Sequence, residues 1–244
     1  MALHNYVIMF TPRSGSSWLT AILSATGRLG HPEEYLNPAF LPELLQRMEC
    51  DNTELLLERL IGSTATDNGV FGIEVTSLHV AHHDRDAFFY RFGEDGSHPA
   101  AFFLLWRANI VAQGISLYRA VASGRFHSWE PDRPPPADDP EQICVWIQHL
   151  MEIENENLAM LQQRRITPRV LLYETMTRAP RQVCQSFADA MGLRLAGAVP
   201  SHAPTKIGDD WNRRTEDSFR SRYHDFIAGI EAGRAMRRLA PRAA

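Results

Sequence analysis

Short apolar runs alternate along this chain with longer stretches in which apolar residues recur every three or four positions. Unbroken runs at Tyr6–Phe10, Val70–Val75, Ala101–Trp106 and Val170–Tyr173 predict buried strands. Helical periodicity predicts helices over Ser16–Thr26, Pro42–Glu49, Thr53–Ile61, Asn109–Ser123, Pro140–Gln163, Pro180–Met191 and Thr215–Gly229. Several ends carry their own signals: Pro180 in a first turn, Gly124 and Gly192 just past last turns. Alternating strands and helices predict an α/β fold with a central, mostly parallel sheet flanked by helices on both faces. Such sheets bind ligands beyond the carboxyl ends of their strands. Arg13 and Arg107 both fall there.

Composition narrows the picture. The chain of 244 residues reads as a single domain over 1–244, with a helical segment at 39–68 and a proline-rich loop at 125–140. A net charge of −4 argues against general binding of nucleic acid or anionic membranes, so an anion site must come from local arginines. Arg213, Arg214, Arg237 and Arg238 are spread among acids or near the C-terminus and make no nucleic-acid footprint. Cys50, Cys144 and Cys184 are odd in number and far apart, which suits a reducing cytoplasm better than a disulfide framework or a zinc pair. Strand-like sequence within a few residues of Met1 reads against a signal peptide, and the run Ala100–Trp106 is too short to span a bilayer. The expectation is a cytoplasmic protein. The helices within 42–61 are read as a lid or a homodimer contact.

The most informative stretch is Thr11–Leu19, TPRSGSSWL, between a strand and a helix. A Ser/Gly-rich turn opening a helix aims backbone N–H groups at one point and suits a phosphate or sulfate. GxxxxGK[ST] is absent, so this is not the loop of an Mg²⁺-nucleotide site. Arg13 enters the turn instead, followed by the hydroxyls of Ser14, Ser16 and Ser17 around Gly15.

Arg107 ends a second strand, and a helix follows it. Ile110, Val111, Gly114, Leu117, Tyr118 and Val121 fall on one arc, read as the buried face. Asn109, Gln113 and Ser116 line the opposite arc, with Arg119 beside it. A helix meeting water often carries such a polar arc. With Arg107 at the strand tip, the same arc could instead present a guanidinium and a hydroxyl to a second phosphate. Farther on, Glu152, Glu154 and Glu156 read as a solvated face beside an apolar spine of Trp146, Ile147, Leu150 and Leu158.

Here a family likeness appears. PRSGSSWL, the R-x8-S of Arg107–Ser116 and the SLYRA of Ser116–Ala120 resemble the cofactor loops of sulfotransferases, which use 3′-phosphoadenosine 5′-phosphosulfate (PAPS). TGRLGHPEEYLNP, Thr26–Pro38, is similar to a stretch in the bacterial branch typified by trehalose 2-sulfotransferase. VLLYETM, Val170–Met176, is similar to a strand-plus-Tyr-Glu element of the same enzymes. The likeness is weakest at 39–68 and 125–165.

The resemblance implies a P-loop-like three-layer sandwich and a metal-independent sulfuryl transfer that releases 3′,5′-bisphosphoadenosine (PAP). It gives Arg13, Ser14, Gly15, Ser16, Ser17 and Trp18 to the 5′-phosphosulfate, Arg107 and Ser116 to the 3′-phosphate, and Lys206, the only lysine, to the nucleotide through a late loop. It makes Glu34 the general base, with Glu33 as the fallback, and gives Arg13 a catalytic part in stabilising charge; His31 is another possible base. A sugar hydroxyl is the expected acceptor, with Glu33, Tyr35, Glu74, Phe126 and Trp129 as candidate contacts, and Arg125 and Trp211 as further ones. One departure stands out. Where the branch tends to carry lysine in G-V-x-G-x-K, this chain has Glu74 in Gly69–Glu74. The rivals are a kinase of a small hydroxyl compound and a nucleotide-binding homologue without turnover.

Overall fold

The computed structural model of the chain describes residues 4–127, 130–195 and 208–239. In order, the elements are β1 (His4–Met9), α1 (Ser16–Ser24), α2 (Leu41–Arg47), α3 (Thr53–Thr64), β2 (Val70–Val75), α4 (Ser77–Ala81), α5 (Arg85–Phe92) and β3 (Ala100–Trp106). There follow α6 (Ile110–Ser123), α7 (Pro140–Gln163), β4 (Arg169–Leu172), α8 (Tyr173–Met176), α9 (Pro180–Ala190), α10 (Asp210–Arg222) and α11 (His224–Leu239). They fall into two compact units, one of residues 1–108 and 153–203, the other of 109–152 and 204–244.

The first unit holds a parallel sheet of order β2-β1-β3-β4. Alternation along its strands divides the core between two faces. Val7, Met9, Phe71, Ile73, Val75, Phe102, Leu104 and Trp106 face one way, toward Leu56, Leu57 and Leu60 of α3, Phe88, Phe89 and Phe92 of α5, and Met160 and Leu161 at the end of α7. Tyr6, Ile8, Val70, Phe103 and Leu105 face the other way, toward Leu19, Ile22 and Leu23 of α1 and Val183, Phe187 and Ala188 of α9. This unit is therefore a three-layer α/β sandwich. The crevice between the carboxyl ends of β1 and β3 is where the strand order reverses, the place that such sheets reserve for ligands.

β2 is an edge strand, and the segment after α1 covers its open side. Gly30 runs so close that a side chain there would meet Gly72 N at 3.2 Å, and its φ of 77° favours glycine. Glu74 N then donates to Glu33 O at 3.0 Å. A run of sequence with no element of its own is thereby held beside the sheet, and with it Glu33 and Glu34.

In the second unit, α6, the first part of α7, α10 and α11 bury Ile110, Val111, Ile115, Leu117, Tyr118, Ile143, Ile147, Leu150, Phe219 and Ile227. Gly114 allows the close approach of α6 and α7, because a Cβ there would lie 2.3 Å from Ile147 Cγ1.

Some details depart from expectation. α4, α5 and α8 are not predicted: α4 and α8 span only about one turn, and the apolar residues of α5 run together at Ala87–Tyr90 instead of recurring every third or fourth position. Thr215–Gly229 is not one helix but parts of α10 and α11, broken at Tyr223. Gln113 is fully buried rather than on a water-facing arc, and Val121, on the last turn of α6, is 42 % exposed. Glu154 leaves the solvated face assigned to it and is buried, while Glu152 and Glu156 stay exposed.

Candidate active site

The anion loop sits at the tip of β1. Ser14 N closes a turn onto Thr11 O at 3.2 Å. Arg13 and Gly15 both adopt left-handed backbone, with φ of 62° and 94°. Gly15 occupies the cap position of α1 and brings no side chain to cap it, so the helix's first N–H groups receive no cap from that residue. Ser14 is fully buried and its hydroxyl has no hydrogen-bond partner among the described residues. Ser16 is buried, Ser17 is exposed and Trp18 is half-buried. An orphaned hydroxyl beside an uncapped, left-handed helix entry fits a tetrahedral anion.

Arg107 stands at the tip of β3. Its Nη1 donates to Arg13 O at 2.9 Å, and its guanidinium lies 4.7 Å from the centre of the Tyr173 ring. Tyr173 also closes over the loop: a Cβ on Gly15 would lie 2.5 Å from Tyr173 Cδ2. Glu174 Oε2 accepts Ala108 N at 3.0 Å. The Tyr-Glu pair after β4 thus braces the segments at the tips of β1 and β3.

The carboxyl groups lie along β2. Glu34 is 29 % exposed, and its Oε2 accepts Asn37 Nδ2 at 2.8 Å. Burial pushes its pKa up, partly offset by the Asn37 hydrogen bond. Glu33 is exposed, yet the protein around its carboxyl, and then the charge of Glu34, raise its pKa as well. Glu74 is 3 % exposed and accepts Thr20 Oγ1 of α1 at 2.8 Å. Burial raises its pKa well above the carboxylate range, and the charges of Glu34 and Glu33 push the same way. The carboxyl that stands where a lysine was expected is thus buried and turned to Thr20 of α1. His79 was not anticipated. Its Nε2 lies 3.8 Å from Glu34 Oε2, and no signal within the sequence pointed to it.

Tyr35 turns inward. Its ring stacks on Phe71 at 6.1 Å, its hydroxyl donates to His31 O at 2.7 Å, and burial pushes its pKa up to about 12. Thr20 on α1 ties the carboxyl group of Glu74 to the helix that the anion loop opens.

In the second unit, Ser116 is half-buried on α6. Arg119 forms a two-pronged pair with Asp209, at 2.8 and 2.9 Å, and lies over the Trp211 ring. Phe126 is exposed; its N–H and that of His127 donate to Glu130 Oε2, each at 2.6 Å. Arg125 pairs with Asp132. Trp129 and Lys206 lie outside the described residues. Among the described residues no group of three His, Cys, Asp or Glu is placed to hold a metal ion, and no helix is long and apolar enough to cross a membrane.

The family model described as Stf0 sulphotransferase matches residues 5–223. Among solved structures, the chain is similar to the sulfotransferase domain of the olefin synthase of Synechococcus PCC 7002, with 14 % identity over 90 % of this chain and 88 % of that one and a TM-score of 0.45. It is also similar to a sulfotransferase from Alicyclobacillus acidocaldarius, with 16 % identity over 95 % and 96 % of the two chains and a TM-score of 0.44. No curated protein matches the chain in sequence.

Proposed function

We propose, from the premise that this chain belongs to the Stf0 sulphotransferase family, that it moves a sulfuryl group from PAPS to a hydroxyl of a carbohydrate or glycosylated metabolite. Membership makes it a sulfotransferase; the donor and the acceptor class are our reading. The observation that carries it is the meeting of two features on α1. The helix opens at the uncapped anion loop, and Thr20, one turn in, is bonded to the carboxyl cluster of β2.

The donor brings the sulfuryl group, activated by a phosphate leaving group. The chain's own residues do the rest by position. The N–H groups of Ser16, Ser17 and Trp18, the buried hydroxyl of Ser14 and the Arg13 guanidinium take the anionic oxygens, and they are in place before charge develops. Arg107 reads the 3′-phosphate with its planar fork. Ser116 and Lys206 keep, as proposals, the donor contacts that the family likeness gives them.

Glu34 takes the proton of the attacking hydroxyl. Its raised pKa strengthens it as a base, and partial exposure leaves the carboxyl within reach of an acceptor. Glu33, exposed beside it, contacts the acceptor, while Tyr35 and Glu74 form the wall behind. Phe126 and Trp129 remain proposed sugar contacts. The product pair is a sulfated acceptor and PAP.

The test is incubation of the protein with ³⁵S-labelled PAPS and a panel of sugars and other hydroxyl compounds, with Glu34→Gln in parallel. Label passes to a hydroxyl compound, and the variant loses about 10²- to 10⁴-fold in turnover, the range a general base supplies. Equal turnover in the variant removes Glu34 from the mechanism.

A further inference from the structure

The proposed reaction leaves unassigned the imidazole beside its base. His79 is on α4 and is 7 % exposed, with the Phe10 ring meeting it edge-on at 6.0 Å. A capping box fixes the ring: Thr76 Oγ1 accepts His79 N at 3.2 Å, and Thr76 N donates to His79 Nδ1 at 3.4 Å. A backbone N–H is always a donor, so Nδ1 must offer its lone pair. The proton of a neutral ring then sits on Nε2. That atom faces Glu34 Oε2, the same oxygen that Asn37 Nδ2 reaches at 2.8 Å. No hydrogen bond reaches Glu34 Oε1 from the described residues.

We propose that His79 is a positioning residue for the base. Its Nε2–H and the Asn37 amide hold Oε2 from two sides, so that Oε1 is the oxygen left to take the acceptor's proton. The inference rests on the assignment of Glu34 as base. At 3.8 Å the two atoms face each other beyond hydrogen-bond length, close enough for the Nε2–H dipole to favour the charged carboxylate in the free protein.

The surroundings keep the ring a donor rather than a cation. Burial, followed by the charges of His83 and His82, lowers the His79 pKa to about 4. The other titratable groups facing the pair are Glu33 beside the base and Glu74 on β2. Both are carboxyl groups, which carry no N–H in either protonation state. His83 is turned to Leu36 O at 3.2 Å.

The experiment is NMR on the whole chain, with ¹⁵N-labelled histidine and ¹³C-labelled glutamate carboxyl groups, read against pH. His79 shows the neutral Nε2–H tautomer from pH 5 to 8, and its ring signals shift as Glu34 titrates, a shift that Glu34→Gln abolishes. In His79→Leu the Glu34 midpoint moves to higher pH, because the carboxylate has lost the N–H dipole that faces it. His79→Gln, which keeps an N–H near Nε2, restores it. An Nδ1–H tautomer, an imidazolium in that range, or an unchanged Glu34 midpoint in His79→Leu overturns the proposal. The tautomer is read in the unaltered protein, so the test stands even where His79→Leu does not fold. None of these signals needs turnover, so an active Glu34→Gln, which would remove the base itself, is a separate result.

Discussion

Arg107 Nη1 donates a 2.9 Å hydrogen bond to the carbonyl oxygen of Arg13. The residue proposed to read the 3′-phosphate therefore also holds the backbone of the loop proposed for the 5′-phosphosulfate. Arg13 sits at φ 62°, a conformation that costs an L-residue about 1–2 kcal/mol. A guanidinium on its carbonyl helps to keep it there.

Arg107→Ala accordingly acts at both ends of the donor. A hydrogen bond to a charged group contributes about 1.5–3 kcal/mol. Affinity for adenosine 3′,5′-bisphosphate falls by about 10- to 100-fold, and affinity for adenosine 5′-monophosphate falls by less. Calorimetric titration separates the two. Equal losses contradict the 3′-phosphate assignment, and an unaltered monophosphate affinity contradicts the hold on the loop.

Gly15→Ala tests the Tyr173 brace. The substitution places a methyl group 2.5 Å from Tyr173 Cδ2 and forces alanine to φ 94°. Urea denaturation shows a loss of about 1–2 kcal/mol from the backbone alone, with the clash added. Combined with Tyr173→Ala, the loss is smaller than the sum of the single losses, because the two residues share one contact. Strict additivity contradicts the packing.

Much of this architecture was legible beforehand, and the exceptions share a cause. Buried parallel strands show as apolar runs, and TPRSGSSWL carries its turn chemistry in its composition. The burial of Glu74, Gln113 and Glu154 is not legible in the sequence, because a buried polar side chain depends on partners distant in sequence. For Glu74 that partner is Thr20, 54 residues away. His79 was invisible for a like reason. Thr76-x-x-His79 closes a capping box with histidine in the place where glutamate or glutamine gives the usual signal. The brace formed by Tyr173 was hidden because β4 ends at Leu172, one residue earlier than its apolar run.

Glu74→Gln tests the buried neutral acid. The folded pKa lies above the unfolded value, so the stability present below about pH 4.3 falls as pH rises toward the folded pKa. The unfolded chain ionises there while the folded chain keeps its proton. Glutamine cannot ionise. The variant melts at the same temperature as the parent near pH 4 and several degrees higher at pH 8. A parent curve that stays flat over this range contradicts a protonated Glu74.

The most direct measurement is thermal unfolding with adenosine 3′,5′-bisphosphate in the presence of a chelator, for the parent and Arg13→Ala. The account predicts a higher melting temperature for the parent, equivalent to about 2.7 kcal/mol at a hundredfold excess over Kd, and a much smaller rise for the variant. No rise in the parent, or an equal or greater one with Mg·ATP, would contradict it.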